Sequence, residues 1–203
     1  STHALEAPGV LVFVADAPPE EVVAVATRYL GALRPGAGTD IAVPAWPVAL
    51  ARHEDERDKA QSALAMMFPG PARDDPARTA MALIAGVTSG LGGRFFDELR
   101  EKQSLAYTVM ASPVARRRAG VFMAYIAMSP EKEDQARQGL LAEFAKLREQ
   151  PVTARELDQA KTYALGSWAI RRESAANVMG DIADAWLFGT SLYDLKQPQM
   201  PPA

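Results

Sequence analysis

The chain has 203 residues, 48% hydrophobic and 23% charged, with a mean hydropathy of -0.10 and a formal net charge of -3. This is an ordinary globular composition, and 22 basic residues against 25 acidic ones leave no basic stripe of the kind that nucleic acid requires. The absence of cysteine excludes disulfides, thiolate zinc sites, iron–sulfur clusters and cysteine nucleophiles, and leaves the compartment open.

The first element is "VLVFVAD", Val10 to Asp16, a branched and aromatic run that predicts a buried strand. A helix follows over "APPEEVVAVATRYLGALRPG", with Pro18 and Pro19 at its start, Glu20 and Glu21 at its positive end, and Gly31 or Pro35 as its stop. Val22, Val23, Ala26, Tyr29, Leu30 and Leu33 recur at three- and four-residue spacing and predict its buried face. "RPGAGTDIAVPAWP" is rich in Gly and Pro and reads as a linker or an extended crossover.

"VALARHED" and "QSALAMMFP" read as two strands around a charged turn, and "DDPARTAMALIAGVTSGLGG" as a helix capped by Asp74 or Asp75 with Pro76 in its first turn. "GRFFDELREKQS" predicts a helix, "LAYTVMAS" a strand, "SPVARRR" a hairpin connection and "RRRAGVFMAYIAMSP" the returning strand. In the amphipathic helix "PEKEDQARQGLLAEFAKLREQ", Leu140, Leu141, Phe144 and Leu147 are expected inward. The next helix opens with Thr153 and Glu156 at capping-box spacing, with Leu157, Ala160, Ala164, Leu165 and Trp168 on its apolar face. "AANVMGDIADAWLFG" is the last helix, before a Pro-rich tail ending "KQPQMPPA". Paired strands with grouped helices predict an α+β fold, an antiparallel or mixed sheet with helices packed on one side.

The glycines of "GLGGRFF" invite a phosphate-loop reading, which fails on context. Gly90, Gly92 and Gly93 follow a helix instead of a strand, and no G-K-[ST] or G-x-S-x-G occurs in the chain. They read as helix punctuation or as backbone that something approaches closely. The two histidines, His3 and His53, lie too far apart to form an i, i+4 zinc pair. No apolar run approaches the roughly 20 residues of a membrane span, and "STHALEAPG" lacks the basic and apolar regions of a signal peptide. The missing initial Met suggests a processed or truncated chain. The Arg116–Arg117–Arg118 run reads as a solvated turn or a contact for an acidic partner. Trp168 and Trp186 read as core residues, and Met66 and Met67 as strand filler.

"LGGRFFDELREKQSLAYTV" resembles the stretch of M16 peptidases (the pitrilysin, insulinase and mitochondrial processing peptidase family) that reads G-x-x-S-R-L-[FY]-x-x-[LI]-R-E-x-x-x-L-A-Y-S-V. "VLVFVADAPPEEVVAVATRYLGALRPG" is similar to the family's V-x-V-x-G-D-x-x-P-E-E strand and helix. "QSALAMMFPGPARDDPA" is similar to its Q-x-x-x-x-x-x-x-P-x-x-x-x-D-P segment, and "PVTARELDQAKTYALGSW" to its V-T-x-x-E-L-x-x-A-K helix. The likeness runs in order from Val10 to Leu195. Gly93 and Phe95 flank Arg94 where the family has Ser and Leu, Ala15 precedes Asp16 where Gly is usual, and the H-x-x-E-H zinc motif is absent.

The resemblance implies the C-terminal, non-zinc-binding region of an M16 protein, as an incomplete unit. Residues 1–35 are then a terminal strand and helix of the preceding domain or packed on the main one. Residues 36–50 form a linker, 51–195 an M16 C-terminal-type domain, and 196–203 a tail. The family's opposite half carries zinc and a glutamate base, so no metal is expected on this chain and zinc is expected on a companion catalytic domain, in the same precursor or a partner subunit. The residues matching the family's substrate-contacting pair are Arg100 and Tyr107, with Gly92, Gly93 and Arg94 as a possible loop contact. The types suit peptide binding: a tyrosine hydroxyl is a directional donor, and a guanidinium is a permanent fork for carbonyl or carboxylate oxygens. Without the resemblance, Arg100 reads as a cation at its helix's negative end and Tyr107 as a sheet residue. The other readings are a catalytically inert M16-like scaffold or assembly subunit and a peptide-binding module using its sheet edge. The expected setting is bacterial, in the cytoplasm or the periplasm.

Overall fold

The structure is a computed structural model and describes residues 8–34, 36, 38, 42–43, 45–89 and 92–190. The expectations for His3, Gly90 and the tail at 196–203 fall outside these residues. The chain divides into two compact units, one of Ser1–Pro44 with Ser167–Pro198 and one of Ala45–Gly166 with Gln199–Ala203.

The second unit holds the sheet. Strands β1 (Ser62–Gly70), β2 (Thr108–Ala115) and β3 (Gly120–Met128) lie in the order β1-β3-β2, and both pairings are antiparallel. The register sets Ser62 opposite Met128 and Gly70 opposite Gly120 on one side of β3, and Thr108 opposite Ala127 on the other. Alternation along β1 turns Leu64, Met66 and Phe68 inward and leaves Ala63, Ala65 and Met67 exposed. One face of the sheet is therefore apolar and covered. Helices α2 (Ala77–Thr88) and α3 (Glu133–Glu149) supply its cover, as an α+β fold requires. The core gathers Phe95, Leu99, Val109, Phe122, Ile126 and Leu140. The Phe144 ring sits among three others, with centroids 4.8 Å from Phe68, 5.3 Å from Phe95 and 6.3 Å from Phe122. Such tilted and edge-on pairs suit the aromatic quadrupole. A smaller cluster joins Leu83 and Val87 of α2 to Ala160 of α4 (Ala154–Arg171), whose N-terminal part belongs to this unit.

Several expectations about elements need correction. "VALARHED" forms no strand; Val48 and Leu50 are exposed, and its charges pair locally, Arg52 with Glu54 and Arg57 with Asp55. The connection "SPVARRR" is shorter than expected, because β2 continues to Ala115 and the turn is only Arg116–Ala119. Leu141 of α3 faces solvent while Leu140 is fully buried, since the helix contacts the core along a narrower stripe than its composition allows. On α4, Ala160 is buried but Leu157 and Leu165 are exposed. The helices approach closely there: a Cβ added at Gly86 would lie 3.4 Å from the Ala160 Cβ.

In the first unit, α1 (Pro19–Leu30) forms as expected and ends at Gly31, and α5 (Ala175–Phe188) ends at Gly189 in the left-handed conformation, φ 68°. Arg171 pairs with Asp181 at 2.9 Å across the turn between α4 and α5. The predicted strand Val10–Asp16 is not one. Its residues run without a ladder among the described residues, and Leu11 and Phe13 are more than half exposed. Apolar β-branched composition favours extension, but a strand exists only where a neighbour supplies the other half of its hydrogen bonds. Likewise Val23, Tyr29 and Leu30 of α1, and Leu33 beyond it, are exposed, and only Val22 and Ala26 of the expected apolar face are partly covered. Val10–Phe13 line an apolar hollow of about 580 Å³ with Ile182, Ala185, Trp186, Gly189 and Thr190 of the same unit.

Candidate functional site

The segment after the glycines builds the site. Gly92 has a φ of 91°, which glycine adopts without strain, and it faces open space. Gly93 is buried, and a Cβ there would lie 2.7 Å from the Ser89 carbonyl oxygen and 2.8 Å from that of Thr88. The chain therefore turns tightly over the end of α2, and only a glycine passes. That end is itself pinned. The Thr88 hydroxyl donates to the Ile84 carbonyl at 2.9 Å. The Ser89 hydroxyl donates to the Ala111 carbonyl on β2 at 2.9 Å and accepts the Ala111 N–H.

From Arg94 the chain is helical, and over Phe96–Lys102 it widens into a π-helix. Such segments are rare and short, and they re-aim side chains relative to an α-helix. The helix closes through nested bonds, Gln103 N–H to Glu98 at 3.1 Å, Ser104 N–H to Arg100 at 3.1 Å and Leu105 N–H to Leu99 at 2.8 Å. Ser104 takes the left-handed conformation, φ 51°, that a helix-ending glycine usually occupies. Leu99 and Leu105 are both buried at this stop, against Gly139 of α3.

Arg100 and Tyr107 flank this turn. The Arg100 side chain is 46% exposed; its guanidinium stacks over the Phe96 ring at 4.9 Å and comes no nearer than 3.9 Å to Glu101. Tyr107 is 56% exposed, and its backbone N–H donates to the Ala127 carbonyl at 2.8 Å. Its hydroxyl has no hydrogen-bond partner among the described residues. No hydrogen bond joins the two side chains, so both present free polar groups from one turn. The Tyr107 backbone thus bonds to β3 while its side chain stays more than half exposed.

Charges behind the turn hold it in place. Glu98 accepts from Lys102 Nζ and Gln103 Nε2, each at 3.0 Å, and these bonds, Lys102's the larger, hold its carboxyl below the ordinary range. Lys132 Nζ donates to the Ser104 carbonyl at 2.8 Å. Arg94, placed by the sequence among loop contacts, is engaged inside the fold. Its Nε and Nη2 grip the two Glu156 oxygens at 2.5 and 2.8 Å, with side chains only 18% and 27% exposed. Glu156 also accepts from the Thr153 N–H and hydroxyl at 2.8 Å, as the capping-box spacing predicts. The Arg94 hydrogen bonds, more than any other cause, depress the Glu156 carboxyl to about 2. Nearby, the buried Glu143 pairs with Lys146 at 2.6 Å, which raises the lysine. Sequence reasoning singled out none of Glu98, Gln103, Ser104 and Glu143; only the i, i+4 spacing of Glu98 and Lys102 was there to be read.

Among the described residues no three His, Cys, Asp or Glu side chains gather as a metal site, and His53 is the one described histidine. No helix among them is long and apolar enough to cross a membrane.

A family description, the peptidase M16 inactive domain, matches residues 10–163. This chain belongs to the M16 peptidase family. It is 28% identical, over 132 residues, to an uncharacterised zinc protease of Streptomyces coelicolor, covering 64% of this chain and 29% of that protein. The peptidase M16 inactive domain from Pseudomonas fluorescens superposes with a TM-score of 0.78 at 28% identity, over 89% of this chain and 43% of that one. A chain of complex III2 from Candida albicans shares the fold at a TM-score of 0.73 and 14% identity, over 89% and 45%. The chain thus spans less than half the length of each of these proteins. The α+β fold and the family expected from the sequence are both borne out.

Proposed function

We propose that this M16 inactive domain is the substrate-contacting region of a zinc peptidase whose metal lies on a separate M16 domain, in the same precursor or a partner subunit. Arg100 and Tyr107 hold the peptide opposite that site: the hydroxyl donates to a peptide carbonyl, and the guanidinium grips a carbonyl or terminal carboxylate. One observation carries the reading. Two exposed side chains, neither committed to an internal hydrogen bond, flank a turn that Glu98, Lys132 and the buried Leu99 and Leu105 hold rigid. A surface pair with only a structural task would spend its polar groups inside the fold, as Arg94 does. Gly92, Gly93 and Arg94 shape the approach to this turn.

The test is peptide turnover in the complete enzyme, with the zinc-bearing domain present. Tyr107→Phe and Arg100→Ala are each expected to reduce kcat/KM by about 10²-fold, the scale of a lost substrate-stabilising donor, with assembly intact. Metal analysis of the isolated chain should find no stoichiometric zinc. Unchanged turnover in both variants, or tight zinc with cleavage by the isolated chain, refutes the proposal. Unchanged turnover with impaired assembly on wider surface changes would favour an inert scaffold instead.

A further inference from the structure

Arginines gather at the end of the sheet away from Ser62. The β2–β3 turn carries Arg116, Arg117 and Arg118 in succession, all exposed. Arg116 N–H donates to the Ala119 carbonyl at 2.7 Å and closes the turn. The segment after β1 lies against it: the Arg73 N–H donates to the Arg116 carbonyl at 2.9 Å. Gly120 makes this approach possible, since a Cβ there would sit 1.9 Å from the Pro71 carbonyl oxygen. Arg73 leads into α2, whose first turn holds Arg78 and no acidic residue.

Burial, and then the like charge of Arg73, push the Arg78 guanidinium below its usual range. A cation in the first turn also opposes the positive end of the helix dipole. Two carboxylates share the corner, Asp74 and Asp75, and Asp75 is committed to the Ala77 N–H at 2.8 Å. Arg116 and Arg117 have no hydrogen-bond or ion-pair partner for their side chains among the described residues.

We propose that this corner docks a short acidic segment of a partner protein, its carboxylates gripped by Arg116 and Arg117 and drawn by the charge of Arg73, Arg78 and Arg118. Guanidinium forks match carboxylates in bidentate pairs. A peptide fits better than a duplex or a membrane. The chain is acidic overall, with a net charge of -3, so beyond this corner a long polyanion meets repulsion. The docking surface stands apart from the Arg100 and Tyr107 turn and does not depend on the function proposed for it.

Fluorescence anisotropy of a labelled octaglutamate peptide with the 203-residue chain tests this. Saturable binding is expected, weakened by added NaCl and at least tenfold weaker for R116E/R117E, while R116K/R117K retains charge and part of the affinity. Circular dichroism melts confirm that the variants fold, and R117A repeats the comparison with one exposed side chain removed. Equal affinity in wild type and R116E/R117E, or no binding at millimolar protein, overturns the proposal. So does tighter, Arg116- and Arg117-dependent capture of oligothymidylate or of phosphatidylserine vesicles, which would put nucleic acid or membrane in place of an acidic protein segment.

Discussion

Replacing Arg94 with alanine removes both arms of its grip on Glu156, bonds of 2.5 and 2.8 Å that tie the start of the π-helical segment to the start of α4. Between the ordinary carboxyl value of 4.5 and about 2 in the fold lies a free energy of about 3 kcal/mol, at 1.36 kcal/mol per pH unit. Thr153 keeps its share of the effect, and solvent reaching a side chain 27% exposed screens the rest. About 2 kcal/mol remains for Arg94, the range of hydrogen bonds to charged groups. For a domain of this size that is a Tm lower by about 4–8 °C.

The pH dependence gives a second reading of the same pair. A carboxyl depressed by folding stabilises in full above its unfolded value of 4.5 and loses that contribution as the pH falls toward 2. Urea unfolding followed by circular dichroism should therefore show Arg94→Ala well below wild type at pH 7, with the gap closing between about pH 4.5 and pH 2.5. Arg94→Lys, which keeps the charge and loses the fork, should fall between. A gap under about 0.5 kcal/mol at pH 7, or one that stays constant on acidification, refutes the assignment.

Gly93→Ala should cost about 2 kcal/mol or more by chemical denaturation, because the new methyl meets backbone oxygens that cannot move aside. Phe144→Ala should lose about 3 kcal/mol and narrow the near-ultraviolet dichroism, since it empties the space among Phe68, Phe95 and Phe122. Tyr107→Phe and Arg100→Ala should leave the melting temperature of the isolated chain within about 1–2 °C of wild type, as exposed substitutions without internal hydrogen bonds do. Peptide turnover in the complete enzyme is where those two changes should register.

Legibility varied with the range of the interaction. The Thr153 and Glu156 cap, the Asp75 contact at α2 and the Gly31 stop of α1 are local, with donor and acceptor within a few residues, and spacing revealed them. Ser104 escaped because nothing in "KQSLA" signals a left-handed residue; its conformation follows from Leu99 and Leu105 being drawn together into the core. The fork of Arg94 escaped for a different reason. Its partner lies 62 residues away, and a guanidinium after a glycine loop reads equally well as a surface contact.

Two apolar runs show most plainly where sequence ends and tertiary structure begins. "VLVFV" and "SALAMMF" carry similar strand signals, and either composition alone determines a preference for extended backbone. Only the second lies beside Gly120–Met128, which completes its hydrogen bonds and turns it into β1. By itself the sequence determined the helices and the residue types at the Arg100 and Tyr107 turn, which are written locally, and the family through its resemblance to M16 motifs in order along the chain. Tertiary structure decided which strands exist, which arginine is spent inside the fold and which is left exposed. Those outcomes depend on what each group meets across the chain.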